Sequence, residues 1–332
     1  MKAVVLDKDG ISCRETEEPA VHEGQVKVKV AYCGICGSDI PRVLDGKVHF
    51  YPIILGHEFS GTVAETGEGI SGFRIGDRVA GIPLMPCFEC DNCSKGLYSM
   101  CPNYRFVGSS VNGAYAEYVC VPETNLMRIP DGIDLADASM VEPCSVARHA
   151  FELVDVRGKD VAVTGDGTIG LFAVQWAKVM GARNISLITH GRKELSPADL
   201  DIDAVVSSEE DLPSKADAII DCAGTEASIL KDLDIAAPRC TLVIVGTASS
   251  EISFSSFEWQ KIARKEMIVK GSWMSYSEPF PGTEWTESVE MMGNGHIGTD
   301  MIRKTVIGPE DVPAAFSDIS EGIKRGKILI RF

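Results

Sequence analysis

The chain has 332 residues, 45% of them hydrophobic and 24% charged, which is enough apolar material for a large core and favours two domains over one. Its formal net charge is −16, so it repels phosphate backbones and we expect no nucleic-acid partner. The N-terminus has no long apolar run, and no stretch of about 18 apolar residues occurs, so we expect no export signal, no membrane contact and a cytoplasmic location.

The first third of the chain predicts a β-rich domain. Short alternating or β-branched segments are separated by Gly and Pro: KAVVLD, QVKVKVAYCG, FSGTVAETG, DRVAGIPLM and AEYVCVP. Helical patterns are scarce there. We therefore predict one β-rich domain over residues 1–145.

Strands and helices alternate after about residue 145. A helix is predicted from Ser145 to Leu153, and the strand in VAVTGDGTIG leads through a Gly-rich turn into the helical pattern LFAVQWAKVM. Further strands are predicted in ISLIT, DAVV, DAIIDCAG and TLVIVG. This alternation predicts a doubly wound parallel sheet over residues 146–272. The tail, residues 273–332, ends in the strand KILIRF and is predicted to complete the first domain.

Four of the eleven cysteines lie close together, at Cys87, Cys90, Cys93 and Cys101. Cytoplasmic thiols stay reduced and the number of cysteines is odd, so we do not expect disulfides. Three thiolates spaced three residues apart and a fourth across a short loop can surround one zinc ion, leaving no open position. The segment predicts a structural zinc site, with four ordinary buried cysteines as the alternative.

A second set of possible metal ligands is more widely spaced. Cys36 lies in CGICGSD, His57 in GHE and Glu142 in VEP. One thiolate, one imidazole and one carboxylate make a three-ligand zinc site whose fourth position can take a substrate oxygen. Each residue also has a simpler interpretation: His57 as a packed histidine, Glu142 as a turn residue, and Cys33 with Cys36 as a redox CxxC pair.

Three neighbours of these ligands are candidates for supporting roles. Ser38 is two residues from Cys36, so its hydroxyl is predicted to pass the substrate proton outward. Glu58, next to His57, is predicted to take part in catalysis, either as a direct ligand in some states or behind the ligands. Asp39 is well suited to hold the free N–H of a ligand imidazole.

The segment Gly165-Asp166-Gly167-Thr168-Ile169-Gly170 matches G-x-G-x-x-G. It follows a predicted strand and opens a predicted helix, the context in which this motif binds dinucleotides. The phosphates of the cofactor then meet the free N–H groups of the helix N-terminus. The alternative is a purely structural glycine turn.

The end of the second strand of this unit predicts which cofactor is preferred. An NAD-binding unit usually has Asp or Glu there to hold the ribose hydroxyls, but this chain has Thr189-His190-Gly191-Arg192-Lys193. The missing carboxylate removes a repulsion, and Arg192 or Lys193 can neutralise a 2′-phosphate. We therefore favour NADP(H) over NAD(H), with solvated loop charges as the simpler alternative.

The ordered set of CGSD, GHE, four cysteines, Glu-Pro and GxGxxG resembles the zinc-dependent medium-chain dehydrogenase/reductase family, which includes the alcohol and polyol dehydrogenases. The resemblance covers essentially the whole chain. It implies a GroES-like β-rich catalytic domain holding two zinc ions, a Rossmann domain holding the cofactor, and an active site in the cleft between them. It also implies a homodimer or homotetramer joined through the cofactor domains.

Longer strings, among them GSWMSY and EPFPGTEW, are similar to the galactitol-1-phosphate 5-dehydrogenase subfamily. This implies hydride transfer between NAD(P) and a polyol phosphate/ketose phosphate pair. The alternatives are a free polyol such as sorbitol or xylitol, a pentitol phosphate such as ribitol 5-phosphate, or a non-catalytic dinucleotide-binding zinc protein. A substrate phosphate requires cations, for which the sequence offers the following candidates: Arg42, Lys47, His49, Arg105 and Arg148.

Overall fold

The computed structural model describes residues 1–189, 195–207, 212–323 and 326–332. Its strands are β1 (Lys2–Asp7), β2 (Gly10–Glu15), β3 (Gln25–Gly34), β4 (Ile53–Ile54), β5 (Glu58–Thr66), β6 (Arg78–Gly81), β7 (Leu84–Met85), β8 (Arg105–Phe106), β9 (Tyr118–Pro122), β10 (Leu126–Arg128), β11 (Asp160–Thr164), β12 (Asn184–Ile188), β13 (Ala204–Val206), β14 (Ala216–Asp221), β15 (Ala236–Ile244), β16 (Ile268–Gly271), β17 (Lys304–Ile307) and β18 (Lys327–Arg331). Its α-helices are α1 (Asp39–Leu44), α2 (Leu135–Ala138), α3 (Val141–Ala150), α4 (Thr168–Val179), α5 (Pro197–Leu200), α6 (Glu226–Ile235), α7 (Ser256–Arg264), α8 (Thr283–Gly293) and α9 (Val312–Ser320).

The chain divides into two compact units. The first comprises Met1–Glu142, Tyr276–Gly293 and Arg303–Phe332, and the second comprises Pro143–Ser275 and Asn294–Ile302. The predicted bounds, 1–145 with 273–332 and 146–272, differ from this division mainly at residues 294–302. That segment is held within the second unit by the Gln175 side-chain amide, which donates to the Gly298 carbonyl at 3.0 Å and accepts from the Gly298 N–H at 2.8 Å.

The first unit is built around β3, whose alternating QVKVKV pattern buries Val26, Val28 and Val30. One edge of β3 pairs with β5, while β9 and β18 pair with successive parts of the other edge, all antiparallel. The larger sheet has the order β10-β6-β5-β3-β18-β17, beside a small β2-β1-β4 sheet and the β7-β8 pair. The C-terminal strand β18 thus joins this unit, as the sequence predicted for the tail.

The second unit contains a parallel sheet in the order β13-β12-β11-β14-β15-β16. This is the doubly wound order of dinucleotide-binding domains, in which the chain reverses direction across the sheet beside the first strand. Its strands β11, β12 and β14 are short apolar runs, because both faces of a parallel sheet are covered there. Ile219, Leu233 and Leu242 lie in the resulting core.

Helix α3 begins earlier than the predicted helix at residues 145–153. It starts at Val141, so Glu142 lies in its first turn instead of in a preceding loop. Among the described residues, no helix is long and apolar enough to cross a membrane.

Candidate active site

The register of β3 and β5 brings three predicted site residues together. Gly34, at the end of β3, pairs with Glu58, at the start of β5. Cys36 lies two residues after Gly34, and His57 lies one residue before Glu58. The segments that carry Cys36 and His57 therefore meet at one end of the strand pair. The ligand atoms of Cys36, His57 and Glu58 all lie within 4.8 Å of one another.

Asp39, the first residue of α1, packs against this group and bonds to the Cys36 backbone. It is fully buried, and its carboxylate accepts hydrogen bonds from the backbone N–H of Cys36 at 3.1 Å, the hydroxyl of Tyr115 at 2.8 Å and the guanidinium of Arg42 at 3.0 Å. Its Oδ1 lies 3.9 Å from Nδ1 of His57, beyond hydrogen-bond distance. Asp39 therefore holds the Cys36 loop directly and places a negative charge beside the imidazole.

The residues of this group fit a metal cation. Burial raises the pKa of the Cys36 thiol well above its usual value, and the nearby charges of Glu58 and Asp39 raise it further. Nδ1 of His57 is buried and has no hydrogen-bond partner in the described part of the chain. A divalent cation satisfies both conditions, because it binds thiolate and imidazole and offsets the surrounding negative charge.

Glu58 forms a buried ion pair with Lys327 of β18. The ammonium of Lys327 also donates to the carbonyl of Ile35 at 3.1 Å. A side chain at Gly34 would overlap both partners of the pair, so the absence of one there leaves room for it. Burial lowers the pKa of Lys327, but the charges of Glu58, Cys36 and Glu142 and the hydrogen bond to Glu58 together outweigh this effect, so the pKa lies above its usual value.

Glu142, the predicted third ligand, lies outside the three-residue cluster. Burial raises its pKa to about 7, with the charge of His57 lowering it and that of Glu58 raising it, so its carboxyl group lies within electrostatic reach of both residues. The structure brings Cys36 and His57 together, with Glu58 as the carboxylate in their cluster. A ligand role for Glu142 stays a prediction.

Ser38 is exposed, next to the cluster. Its backbone N–H lies 3.5 Å from the sulfur of Cys36, and its hydroxyl oxygen accepts a hydrogen bond from Arg42 at 3.0 Å. Arg42 also donates to Asp39 and to the hydroxyl of Ser109. The hydrogen of the Ser38 hydroxyl is thereby left to point toward another acceptor.

The other candidate phosphate-binding cations have different surroundings. Arg148 is buried in the second unit, where it pairs with Glu152 at 2.7 Å and lies over the Trp176 ring. Lys47, His49 and Arg105 are exposed side chains of the first unit. Arg42 and Arg148 are engaged within the protein, so the exposed residues remain the more accessible candidates.

The four cysteines of residues 87–101, hereafter the four-cysteine loop, converge on one point. Their sulfur atoms all lie within 4.8 Å of one another. The sulfur of Cys101 is 3.5 Å from that of Cys87 and 3.9 Å from that of Cys90. Four sulfurs around a zinc ion at about 2.3 Å are about 3.8 Å apart in a tetrahedron. The spacing therefore fits one tetrahedral zinc ion.

The GxGxxG motif forms the turn between β11 and α4, and each glycine has a separate steric reason. Gly165 has a φ of 107°, which other residues rarely adopt. A side chain at Gly170 would overlap the carbonyl oxygen of Gly165, whereas Gly167 faces open space. Gly167 also precedes α4 without a side-chain cap, so the first N–H groups of the helix are available to a phosphate. Thr168 and Ile169 form the first turn of α4.

Thr189 directly follows β12, where the ribose-binding acid is usually placed. It is buried, and its backbone N–H donates to the carbonyl of Val206 at 2.9 Å. His190 and Arg192, like Lys193, lie outside the described residues. Of the predicted cofactor-binding residues in this segment, the structure therefore describes Thr189, while the two cations predicted for a 2′-phosphate lie outside the described residues.

Comparison with known protein families agrees with these features. The alcohol dehydrogenase GroES-like domain matches residues 22–131 and the zinc-binding dehydrogenase domain matches residues 168–292. Galactitol 1-phosphate 5-dehydrogenase of Escherichia coli (strain K12) is 36% identical over 344 aligned residues, covering 99% of both chains. This chain belongs to the zinc-dependent alcohol and polyol dehydrogenase family. It is therefore an oxidoreductase with a GroES-like domain and a Rossmann domain, as predicted.

Other members of the zinc-dependent dehydrogenase family are also similar. Sorbitol dehydrogenase of Halalkalibacterium halodurans is 31% identical over 347 residues, covering 99% of this chain and 98% of its own. The crystal structure of galactitol-1-phosphate dehydrogenase from Escherichia coli matches with a TM-score of 0.92 and 35% identity over the whole of both chains. A structure from Sinorhizobium meliloti, described as a zinc-binding dehydrogenase bound to NADP, matches with a TM-score of 0.88 and 28% identity over 100% of this chain and 99% of its own.

Two residues that position the dehydrogenase site were missed from the sequence. Tyr115 is buried and donates to Asp39, and Lys327 neutralises Glu58. Lys327 had a sequence signal, since a lysine at the head of the apolar strand KILIRF needs a buried partner. Tyr115 had none, because a buried tyrosine in a β-rich domain is usually a packing residue.

Proposed function

We propose that this protein transfers a hydride between a nicotinamide dinucleotide and a polyol phosphate/ketose phosphate pair, as in galactitol-1-phosphate 5-dehydrogenase. The observation that carries the chemistry is the cluster of the half-buried Cys36 with the buried His57 and Glu58, beside the exposed Ser38. The substrate class is supported by the 36% identity to that enzyme over 99% of both chains.

We propose two zinc ions per chain. One is structural, held by Cys87, Cys90, Cys93 and Cys101. The other is catalytic, held by Cys36 and His57 with a carboxylate, either Glu142 as the motif order implies or Glu58 as the clustering favours. When bound, the catalytic ion acts as a Lewis acid that makes the substrate hydroxyl more acidic.

Ser38, Arg42 and Asp39 form a hydrogen-bonded group beside the cluster that can carry the substrate proton away from it. The oxygen of Ser38 accepts from Arg42 at 3.0 Å, and this cation favours a negative charge on that oxygen. Ser38 can therefore act as a relay, in which its oxygen accepts the hydroxyl proton of the substrate as its own hydroxyl proton passes to water. Asp39 keeps the Cys36 loop and Arg42 in place through its three hydrogen bonds.

We propose that the cofactor is bound by Gly165, Gly167 and Gly170 with the first turn of α4, and that NADP(H) is preferred over NAD(H). The open space at Gly167 supports binding of a pyrophosphate. Thr189 after β12 supports the preference, because no carboxylate there opposes a 2′-phosphate. Arg192 or Lys193 is the predicted partner of the 2′-phosphate, and His190 is a further predicted cofactor-binding residue.

The competing substrates can be separated by one panel of initial rates. Galactitol 1-phosphate, galactitol, sorbitol and ribitol 5-phosphate are each tested with NAD⁺ and NADP⁺. We expect the highest kcat/KM with galactitol 1-phosphate and NADP⁺. Higher activity with sorbitol, which the 31% identity to a sorbitol dehydrogenase would favour, assigns a free polyol instead. No turnover with any substrate, in protein that retains both metal ions, assigns a non-catalytic role.

Two variants test for a phosphate-binding cation within that panel. Lys47→Met and Arg105→Met remove exposed cations of the first unit. A residue that binds the phosphate raises KM for galactitol 1-phosphate and leaves KM for galactitol unchanged, because the free polyol lacks the anion. An equal rise for both substrates excludes the phosphate contact.

We also propose a homodimer or homotetramer formed through the second unit. Strand β16 lies at the end of the sheet order, and none of the residues of α7 is buried. Between them they expose Phe257 (71%), Trp259 (61%), Ile268 (51%) and Val269 (43%). An apolar sheet edge of this kind favours association. Light scattering should show an oligomer that Trp259→Glu weakens, and a monomeric wild-type protein would exclude it.

We propose that the protein acts in the cytoplasm. None of the eleven cysteines forms a disulfide, a state that a reducing compartment maintains.

A further inference from the structure

The string EPFPGTEW, residues 278–285, contacts the four-cysteine loop. Both lie in the first unit. Phe88 lies between Cys87 and Cys90, and Tyr98 lies between Cys93 and Cys101. Each of these rings faces Phe280 edge-on, with ring centroids 5.3 Å apart. Phe280 therefore occupies a notch formed by the two aromatic residues of the loop.

The Phe280 ring also packs against an aromatic residue of its own segment, residues 276–285. Phe280 stacks on Tyr276 at 5.7 Å and an angle of 8°, and Tyr276 stacks on Trp285 at 5.8 Å. Tyr276 and Trp285 are buried. We call the five rings of Phe88, Tyr98, Tyr276, Phe280 and Trp285 the aromatic cluster. Offset and edge-on ring pairs of this kind each add stabilisation beyond their buried area.

A polar contact fastens the segment at a second point. The hydroxyl of Tyr98 donates to the carboxylate of Glu278. Burial raises the pKa of Tyr98 to about 12 and the bond to Glu278 adds to this rise, so the hydroxyl keeps its proton. A side chain at Gly96 would collide with the side chain of Glu278. The loop is thus shaped to receive this carboxylate.

Tyr276, which begins the segment, lies within electrostatic reach of Glu142. The hydroxyl oxygen of Tyr276 accepts from the backbone N–H of Leu84 at 3.2 Å. Burial raises the pKa of Tyr276, and the nearby charge of Glu142 contributes to the rise. The segment is braced internally by the bond from Ser277 to Glu284 at 2.6 Å. A shift of residues 276–285 would therefore move a phenol that neighbours Glu142.

We propose that Glu278 and Phe280 are positioning residues that fasten the Tyr276–Trp285 segment to the four-cysteine loop, so that order in the loop decides where Tyr276 lies. The coupling is reciprocal, because anything that stabilises the segment in place also stabilises the metal-binding form of the loop. The four-cysteine loop then positions Tyr276 in addition to holding its own metal ion.

Hydrogen exchange on the zinc-loaded protein tests this coupling without any substrate. Tyr98→Phe keeps the ring but loses the donor to Glu278, and Glu278→Gln removes the charge with little change of shape. Tyr98→Phe is expected to raise amide exchange in residues 276–293 roughly tenfold, the effect of losing one hydrogen bond to a charged acceptor, and Glu278→Gln should raise it less, because the amide oxygen still accepts. The double variant should add little to Tyr98→Phe, since both changes act on the same contact. Release of zinc from the four cysteines to a chromogenic chelator should accelerate in the same variants.

Ring variants and a matched control complete the design. Phe280→Leu should raise the exchange of residues 276–293, and Phe280→Tyr should restore protection because it keeps the ring. Ser94→Ala, in the same loop, removes a bond to the Asp91 carbonyl only and should leave residues 276–293 unchanged.

The proposal is overturned if Tyr98→Phe and Glu278→Gln leave exchange in 276–293 at the wild-type rate, or if Ser94→Ala raises it equally. An equal rise in β3 also overturns it, since that marks global loss of stability. None of these outcomes depends on which substrate the enzyme uses, so the proposed function stands or fails separately.

Discussion

The buried ion pair of Lys327 and Glu58 allows a quantitative test of how the site is held. The side chains are 4% and 3% exposed, so neither charge is solvated by bulk water. Replacing Lys327 with Met keeps the aliphatic volume but leaves Glu58 as a buried carboxylate near Asp39 and Cys36. Breaking a buried pair from one side typically costs about 3 to 5 kcal/mol, because the remaining charge is uncompensated.

This cost converts to a measurable change in melting temperature. At roughly 2 to 4 °C per kcal/mol for a unit of this size, Lys327→Met should lower the melting temperature of metal-free protein by about 6 to 20 °C. The pKa of Lys327 is raised in the folded protein, so the lysine contributes stability that is fully present below the unfolded value of 10.5 and is lost as the pH rises through the folded value, wherever Glu58 is ionised. The defect should therefore be constant between about pH 6 and pH 9.

Differential scanning fluorimetry of three variants distinguishes the pair from its surroundings. Lys327→Met with Glu58→Gln should recover much of the loss, since no unpaired charge remains. Lys2→Met, which breaks the exposed pair of Lys2 with Glu310, should change the melting temperature little. A Lys327→Met protein that melts within about 2 °C of wild type, or a double variant less stable than the single one, would refute the reasoning.

The remaining predictions concern the two metal sites and the cofactor turn. Cys36→Ala should abolish turnover while NADPH still binds in a fluorescence titration; measurable turnover would contradict a ligand role. Cys93→Ser should lose one of two zinc ions by metal analysis and lower the melting temperature, and retention of both ions would argue against the structural site. Gly170→Ala should weaken NADPH binding by more than about tenfold, because its Cβ overlaps the carbonyl oxygen of Gly165; unchanged affinity would exclude that packing constraint. Thr189→Asp should shift the KM preference from NADPH toward NADH by about tenfold or more through charge repulsion, and an unchanged ratio would remove the basis for the NADP(H) assignment.

Local sequence determined much of this protein. The four cysteines at Cys87, Cys90, Cys93 and Cys101 lie within one short loop, so their spacing alone brings their sulfur atoms together. The GxGxxG turn is also largely local, because Gly165 has a positive φ and Gly170 packs against the carbonyl oxygen of Gly165. The alternation of strands and helices predicted the parallel sheet, since a parallel connection needs a crossover helix.

Only the tertiary structure decided which carboxylate stands with Cys36 and His57. The register of β3 against β5 places Glu58 there, and no spacing along the chain reveals how two distant strands align. The partner of Glu58 is separated from it by 269 positions and arrives through the pairing of β18 with β3. The contacts that hold a buried charge depend on the assembled sheet, because its low-dielectric surroundings exist only after distant segments have packed together.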